Sequence, residues 1–271
     1  ELDLADNTLI VFTSDNGGML NEGGQDAWRA GHRLNGNLLG FKFGAWEGGH
    51  RVPFIVRWPG KVPAGTESNA LVSQIDLITT FAEAAGAILP QNKVVDGVSQ
   101  LSEFKGTANK PARNELVISP NSPRHLILRK GNWVYIPDQD EGGFQGKNIG
   151  GHLLAGAAAT KLTKQKSSDI QDGKIREDAP PAQLFNLRDD PYQKTNVWKD
   201  NPEVVAKLSA RLNEWRKKIP QGRPLGWINI KMNKSDKAPK KSSGVASKIP
   251  AATSKKSASF DFESGKLEPW K

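Results

Sequence analysis

Asp15 and Asn16 stand where the apolar run of "TLIVFTSDNGGML" (residues 8–20) gives way to two glycines. A carboxylate beside a carboxamide offers two hard oxygen donors, chemistry that suits Ca²⁺ or Mg²⁺ rather than zinc. Gly17 and Gly18 would let the main chain come close to a ligand. The same four residues are common turn formers, and an Asx-turn needs no metal. A second group lies in "GHRLNGNLLGFKFGAWEGGHRVPFIVRWPG" (residues 31–60), where Lys42 sits in a glycine-spaced loop. Such a lysine is either a solvated surface charge or a clamp for a tetrahedral anion that stabilises a departing alkoxide. Glu47 and Arg51, four apart just before an apolar run, read as an internal ion pair that shapes the loop. His32 and His50 flank the loop, and each can donate to an anion, act as a general acid, or serve structure alone.

Other templates are missing. There is no Gly-x-Ser-x-Gly elbow, no phosphate-cradling Walker loop and no His-Glu-x-x-His. The absence of cysteine excludes a thiol nucleophile, thiolate metal sites and disulfides within these 271 residues. Of the two remaining histidines, His125 falls in the strand-like "RHLILRK" and lines the pocket only if that segment reaches it; His152 has no assigned role.

These residues need elements to place them. "TLIVFT" is β-branched and apolar throughout, which predicts a strand buried on both faces of a parallel sheet. "VPFIVRWPG" predicts a second strand, stopped by Pro59-Gly60. In "VSQIDLITTFAEAAG", Ser73 and Asp76 form a capping-box pattern, Leu77, Ile78, Phe81, Ala84 and Ala85 follow helical spacing, and Gly86 is a stop. The first third is thus α/β. Further on, "NELVISP", "RHLILRKGNWVYIP" and "AQLFNLRDDP" predict short strands, with a hairpin tip at 130–132. A helix is predicted from Pro202 to about Lys218, with Asn201 as its N-cap and Val205, Leu208, Leu212 and Trp215 as its apolar stripe. Residues 138–181 read as a long surface excursion.

The charge is uneven. Residues 221–271 hold Arg223 and ten lysines against four acids, so most of the net +9 lies there. With little arginine and few interleaved aromatics, that composition predicts a solvated linker rather than a nucleic-acid surface. No apolar run is long enough to span a membrane. "SFDFESGKLEPWK" reads as the opening strand of another domain.

Together, "TLIVFTSDNGG", the Lys42 loop with its EGG-x-R and "VPFIVRWPG", "VSQIDLITTFAEAAG" and "AQLFNLRDDPYQKTNVW" resemble the formylglycine-dependent sulfatases of the alkaline-phosphatase-like superfamily. The resemblance runs in the family's order over about residues 8–217. It implies an α/β fold. Residues 1–112 would be the C-terminal part of the sulfatase catalytic domain and 113–219 a small α+β subdomain with a long loop near 138–181. Residues 220–258 would be a basic disordered linker, and 259–271 the start of a truncated further domain or a disordered tail.

The resemblance also implies roles. Asp15 and Asn16 would be two ligands of an active-site Ca²⁺. Lys42 would contact the substrate sulfate and help the leaving oxygen depart. His32 would be a pocket residue, and Glu47, Gly48, Gly49 and Arg51 scaffold. The substrate would be a sulfate ester, including sulfated carbohydrates, and the full-length protein would be periplasmic or secreted.

The departures are as specific. The family's nucleophile is a formylglycine made from Cys or Ser in a Cys/Ser-x-Pro/Ala-x-Arg motif upstream of the Asp-Asn pair, and no such motif is in this chain. Phe43 stands where glycine commonly follows the lysine. The chain therefore reads as the C-terminal portion of a sulfatase, inactive alone. The alternatives are a phosphodiesterase or phosphonate hydrolase of the same superfamily, or a non-catalytic polyanion-binding fragment.

Overall fold

A computed structural model describes residues 4–90, 96–143, 152–219, 258–261 and 266–269. The elements of the first part are β1 (Ile10–Thr13), α1 (Glu22–Arg29), α2 (Glu47–His50), β2 (Phe54–Arg57), α3 (Leu77–Ala84) and α4 (Leu101–Phe104). They are followed by β3 (Glu115–Ile118), β4 (Ile127–Lys130), β5 (Trp133–Ile136), α5 (Gly156–Thr163), β6 (Ile170–Gln171), β7 (Lys174–Ile175), β8 (Gln183–Asn186) and α6 (Pro202–Lys218). All of these belong to one compact unit, Glu1–Pro220. A second unit, Gln221–Lys271, contains the antiparallel pair β9 (Ala258–Asp261) and β10 (Lys266–Pro269), so a strand does form at "SFD". The linker expected over 220–258 lies almost wholly outside the described residues.

The run at 8–13 forms a strand, but not the expected one. β1 pairs antiparallel with β2, Phe12 opposite Ile55 and Ile10 opposite Arg57. Period-2 alternation puts Ile10, Phe12 and Ile55 on one face, which no described element covers: Phe12 and Ile55 are 62% and 60% exposed. The α3 region repeats this pattern. The Ser73–Asp76 capping box is present and Gly86 turns the chain at φ +66°. Yet the apolar stripe faces outward, with Ile78 53% exposed, while Asp76 and Thr80 are buried. The reason is a polar network on the inner side. The Asp76 carboxylate accepts from the Arg113 guanidinium, the Val98 amide at 3.0 Å and Gln100 Nε2 at 2.9 Å, and Thr80 Oγ1 accepts from the Gln100 amide. Buried polar groups must be paired, and here that requirement sets how the helix is turned.

The small subdomain matches expectation more closely. β3, β4, β5 and β8 form an antiparallel sheet in that order, and Gly131-Asn132 is the predicted hairpin tip between β4 and β5. Alternation gives this sheet two apolar faces. Leu128, Tyr135 and Leu184 pack against Leu208 and Leu212 of α6. Ile127, Val134, Ile136 and Phe185 pack instead against Leu39, Ala45 and Trp46. The stretch around Lys42 is thereby rooted in the sheet. The 138–181 excursion is not a bare loop: "GAAAT" begins α5, whose Ala157 and Ala159 are buried. Ala159 joins Leu20, Trp28 and Phe41 in a third cluster.

Main chain packs directly on main chain around the strand end. The Gly17 amide donates to Gly49 O at 3.0 Å, Gly48 N to Leu39 O at 2.8 Å, and Lys42 N to Gly18 O at 2.9 Å. A Cβ on Gly17 would lie 1.8 Å from Gly48 O, and one on Gly48 would lie 2.2 Å from Gly40 O. No side chain fits at either place.

Two outcomes are expected. Gly48→Ala should lower stability in chemical denaturation by about 1–3 kcal/mol or more, the range for overpacking. Gly23→Ala, a helical position whose nearest Cβ neighbour is 4.0 Å away, should be neutral or stabilising by up to about 1 kcal/mol. The second outcome concerns Glu115, where the Arg211 guanidinium, helped by Lys130 and Trp215 and opposed by burial, holds the carboxyl down at about 2. A depressed carboxyl contributes stability that is complete above its unfolded value of 4.5 and lost as pH falls towards 2. Thermal midpoints measured by circular dichroism should therefore fall across that window, and Glu115→Gln should flatten the fall.

Candidate functional site

β1 ends at Thr13 and delivers Asp15 and Asn16 onto the tight turn that Gly17 makes against Gly49. The Asn16 side-chain amide donates to Gly17 O at 2.9 Å through its nitrogen, so that bond does not occupy Oδ1. Asp15 is exposed. A carboxylate and a carboxamide in succession carry hard oxygens, the donor chemistry Ca²⁺ selects. Ca²⁺ takes six to eight oxygens, and among the described residues no group of three or more His, Cys, Asp or Glu could hold a metal. By donor chemistry alone, Asp15 and Asn16 would supply two of those oxygens and no more.

Lys42 is brought to the same strand end by its own backbone. Its amide donates to Gly18 O, three residues after Asp15. Asn35 locks the arrangement from the other side, accepting from Gly18 N at 2.6 Å and donating to Gly40 O at 3.0 Å. Nothing in the spacing singles out Asn35 for this bridge, although the Asn-Gly pair marks the turn that carries it. The Lys42 ammonium lies 5.3 Å from the Phe43 ring centre. Phe43 holds φ +81°, a backbone conformation that glycine adopts freely and a bulky residue does not. The resemblance had put glycine at this position, and the backbone keeps the geometry although the residue differs.

Glu47 is fully buried, and an imidazole and two guanidinium groups surround it. His50 Nε2 lies at 3.4 Å, Arg51 Nη1 at 3.5 Å and Arg129 Nη1 at 3.6 Å. Burial pushes its carboxyl upward, but His50, Arg129 and Arg51 outweigh that and hold it below the ordinary range. The expected Glu47–Arg51 pair is present. Arg129, from β4, and Gln193, whose Oε1 accepts from the Glu47 amide at 2.7 Å, were not foreseen. A cation inside the apolar pattern of "LILRK" is the signal that marks Arg129. His50 belongs to this scaffold rather than to the Asp15–Lys42 face.

The remaining histidines separate. His32 is exposed on the turn after α1, and its backbone amide bonds to Ala27 O. Its side chain takes no part in the contacts that join Gly18, Asn35 and Lys42. His125 lies just ahead of β4 rather than within it, fully buried, with Nε2 at 2.6 Å from Gln139 O and Nδ1 at 3.1 Å from Ser122 Oγ. Both ring nitrogens are engaged, so it does not line a pocket. His152 is exposed.

Comparison with known proteins points to sulfatases. The Sulfatase family model matches residues 1–87. An N-acetylgalactosamine-6-O-sulfatase of Bacteroides thetaiotaomicron is 35% identical over 216 residues, 78% of this chain and 37% of that protein. The steryl-sulfatase of Rattus norvegicus is 45% identical over 97 residues, 36% of this chain and 17% of that protein. A solved structure from work on glycosaminoglycan metabolism by Bacteroides thetaiotaomicron superposes with a TM-score of 0.61 at 32% identity, covering 80% of this chain and 40% of that one. A structure of Ps i-CgsB in complex with k-i-k-neocarrahexaose gives 0.52 at 26%, covering 78% of this chain and 37% of that one. The chain thus spans about two-fifths or less of the relatives it matches. The fold and the sequence relatives agree: the chain is similar to sulfatases along most of its described length, with residues 1–87 matching the Sulfatase family itself.

Proposed function

We propose that this chain supplies part of an active site that hydrolyses sulfate esters of carbohydrates. One observation carries the reading: the hydrogen bond from Lys42 N to Gly18 O holds the main chain of Lys42 against the turn that follows Asp15 and Asn16. Asp15 and Asn16 would hold Ca²⁺, which when bound polarises the sulfate oxygens. Lys42 would neutralise charge that develops on the sulfate and on the departing oxygen, an effect that is strong when the donor is placed in advance. Asn35 and the glycine contacts keep that placement fixed. His32 would enter only as an outer contact to substrate.

Carbohydrate is favoured because relatives with the best coverage include a sulfatase named for N-acetylgalactosamine and a structure bound to a carrageenan-type oligosaccharide. The nucleophile would be a formylglycine in sequence preceding this segment, together with the other calcium ligands. Export to the periplasm or outside the cell is part of the same proposal; no described helix is long and apolar enough to cross a membrane.

Two measurements test it. The purified chain should show no turnover of para-nitrophenyl sulfate, and turnover that survives removal of longer contaminants would overturn the partial-site reading. In protein extended by the reading frame upstream of Glu1, Lys42→Ala should lower kcat by about 10²–10³, the usual loss for one placed charge-stabilising group. Unchanged kcat would remove Lys42 from the chemistry.

A further inference from the structure

The loop that carries Lys42 rests on a side chain that the mechanism above does not use. Glu141 is 1% exposed and follows β5 in the small subdomain. Its main-chain oxygen accepts from the Ala45 amide at 2.7 Å, and its Oε1 accepts from Gly156 N at the start of α5 at 2.5 Å. The carboxyl itself lies against both ends of the lysine loop. A Cβ on Gly44 would fall 2.5 Å from Oε2, and one on Gly40 would fall 3.2 Å from it. The neighbouring chain closes the cage, with Asn121 N donating to Phe43 O at 2.9 Å and Ser122 N to Gly142 O at 2.8 Å. The carboxyl therefore fills the space a side chain at Gly44 would need, and together with Trp46 Cβ, 2.9 Å from a Cβ at Gly40, it crowds that position too.

We propose that Glu141 is a positioning residue for Lys42: its buried side chain, wedged between Gly40 and Gly44 and tied to the N-terminus of α5, fixes the loop that presents the lysine. The proposal rests on the sulfatase reading of Lys42 for its functional meaning, but its geometry stands on the loop alone. The charged and titratable groups around Glu141 are few. Asp140 is adjacent and bonds to Ala157 N at 2.9 Å, and the His125 ring lies against Gly142. Burial, reinforced by Asp140 and opposed by the amides of Gly156 and Phe41, raises the Glu141 carboxyl to about 8. It therefore carries its proton at neutral pH, and Oε2, which has no hydrogen-bond partner, is not left as a bare buried charge. Ionisation above that point would place the charge directly under the lysine loop.

The test is amide NMR on the whole chain, with Glu141→Gln and Glu141→Ala. In the wild type, the amides of Phe41, Lys42 and Ala45 should move together with pH, with a midpoint near the Glu141 value of about 8. Glu141→Gln, which keeps shape and neutrality, should hold the low-pH positions of those signals and abolish the step. Glu141→Ala should raise hydrogen exchange at residues 41–45 by ~10-fold or more, with the four-stranded sheet unchanged, the pattern of a local opening. A loss of protection spread evenly through the sheet would make Glu141 a general structural group and overturn the proposal. So would a wild-type titration without a step at residues 41–45. If Glu141→Ala does not fold, the comparison of wild type with Glu141→Gln decides the matter. Failure of the Lys42→Ala kinetic test would leave these outcomes untouched, so the two readings fail separately.

Discussion

Everything around the candidate site depends on main chain touching main chain where a side chain would be in the way. Gly17 meets Gly48, and Gly48 meets Gly40, at distances no Cβ tolerates. Because those contacts are made by backbone, they leave amides and carbonyls free to bond across the gap: Gly17 to Gly49, Gly48 to Leu39, Lys42 to Gly18. Hydrogen bonding of this kind is worth little per bond in net stability. What it supplies here is registry, since three loops far apart in sequence can meet in one arrangement only.

That registry is then carried into the small subdomain by Glu47 and Trp46. Trp46 is buried against the β4–β5–β8 face, its Nε1–H bonded to Gln183 at 2.8 Å. Glu47 gathers Arg129 from the same sheet and takes the Gln193 carboxamide on its amide. A buried carboxylate among cations is costly to desolvate, and removing one partner usually costs more than the pair gains. Its value is therefore placement: the loop and the sheet cannot shift past each other without exposing or stranding a charge.

Local signals in the sequence were legible where the structure is local. The Ser73–Asp76 box, the Gly86 stop, the hairpin at 131–132 and the bounds of α6 all follow from neighbours a few residues apart. The scaffold role of Gly48 and Gly49 came from the resemblance rather than from local spacing, and their bonds to Gly17 and Leu39 reach beyond near neighbours. Contacts such as Arg129 with Glu47, Gln193 with Glu47 and Glu141 with the lysine loop join residues about 80 to 150 positions apart, and no spacing announces them. The apolar faces of β1–β2 and α3 were legible as apolar. Their burial was not, because it depends on what lies over them: the pattern says a face must be covered and is silent on the cover. Among the described residues Phe12, Ile55 and Ile78 lack one.

The bond from the Lys42 amide to Gly18 fixes the root of the lysine at the main chain, and its ammonium lies over the Phe43 ring. An anion arriving at the strand end would thus meet a tethered charge with a defined reach rather than a rigid prong. Settling the lysine stem into one rotamer costs about 1–2 kcal/mol of side-chain entropy, which falls due only when the anion binds. On the proposed reading, a lysine held this way would accept anions from slightly different angles and give up some affinity for each in exchange.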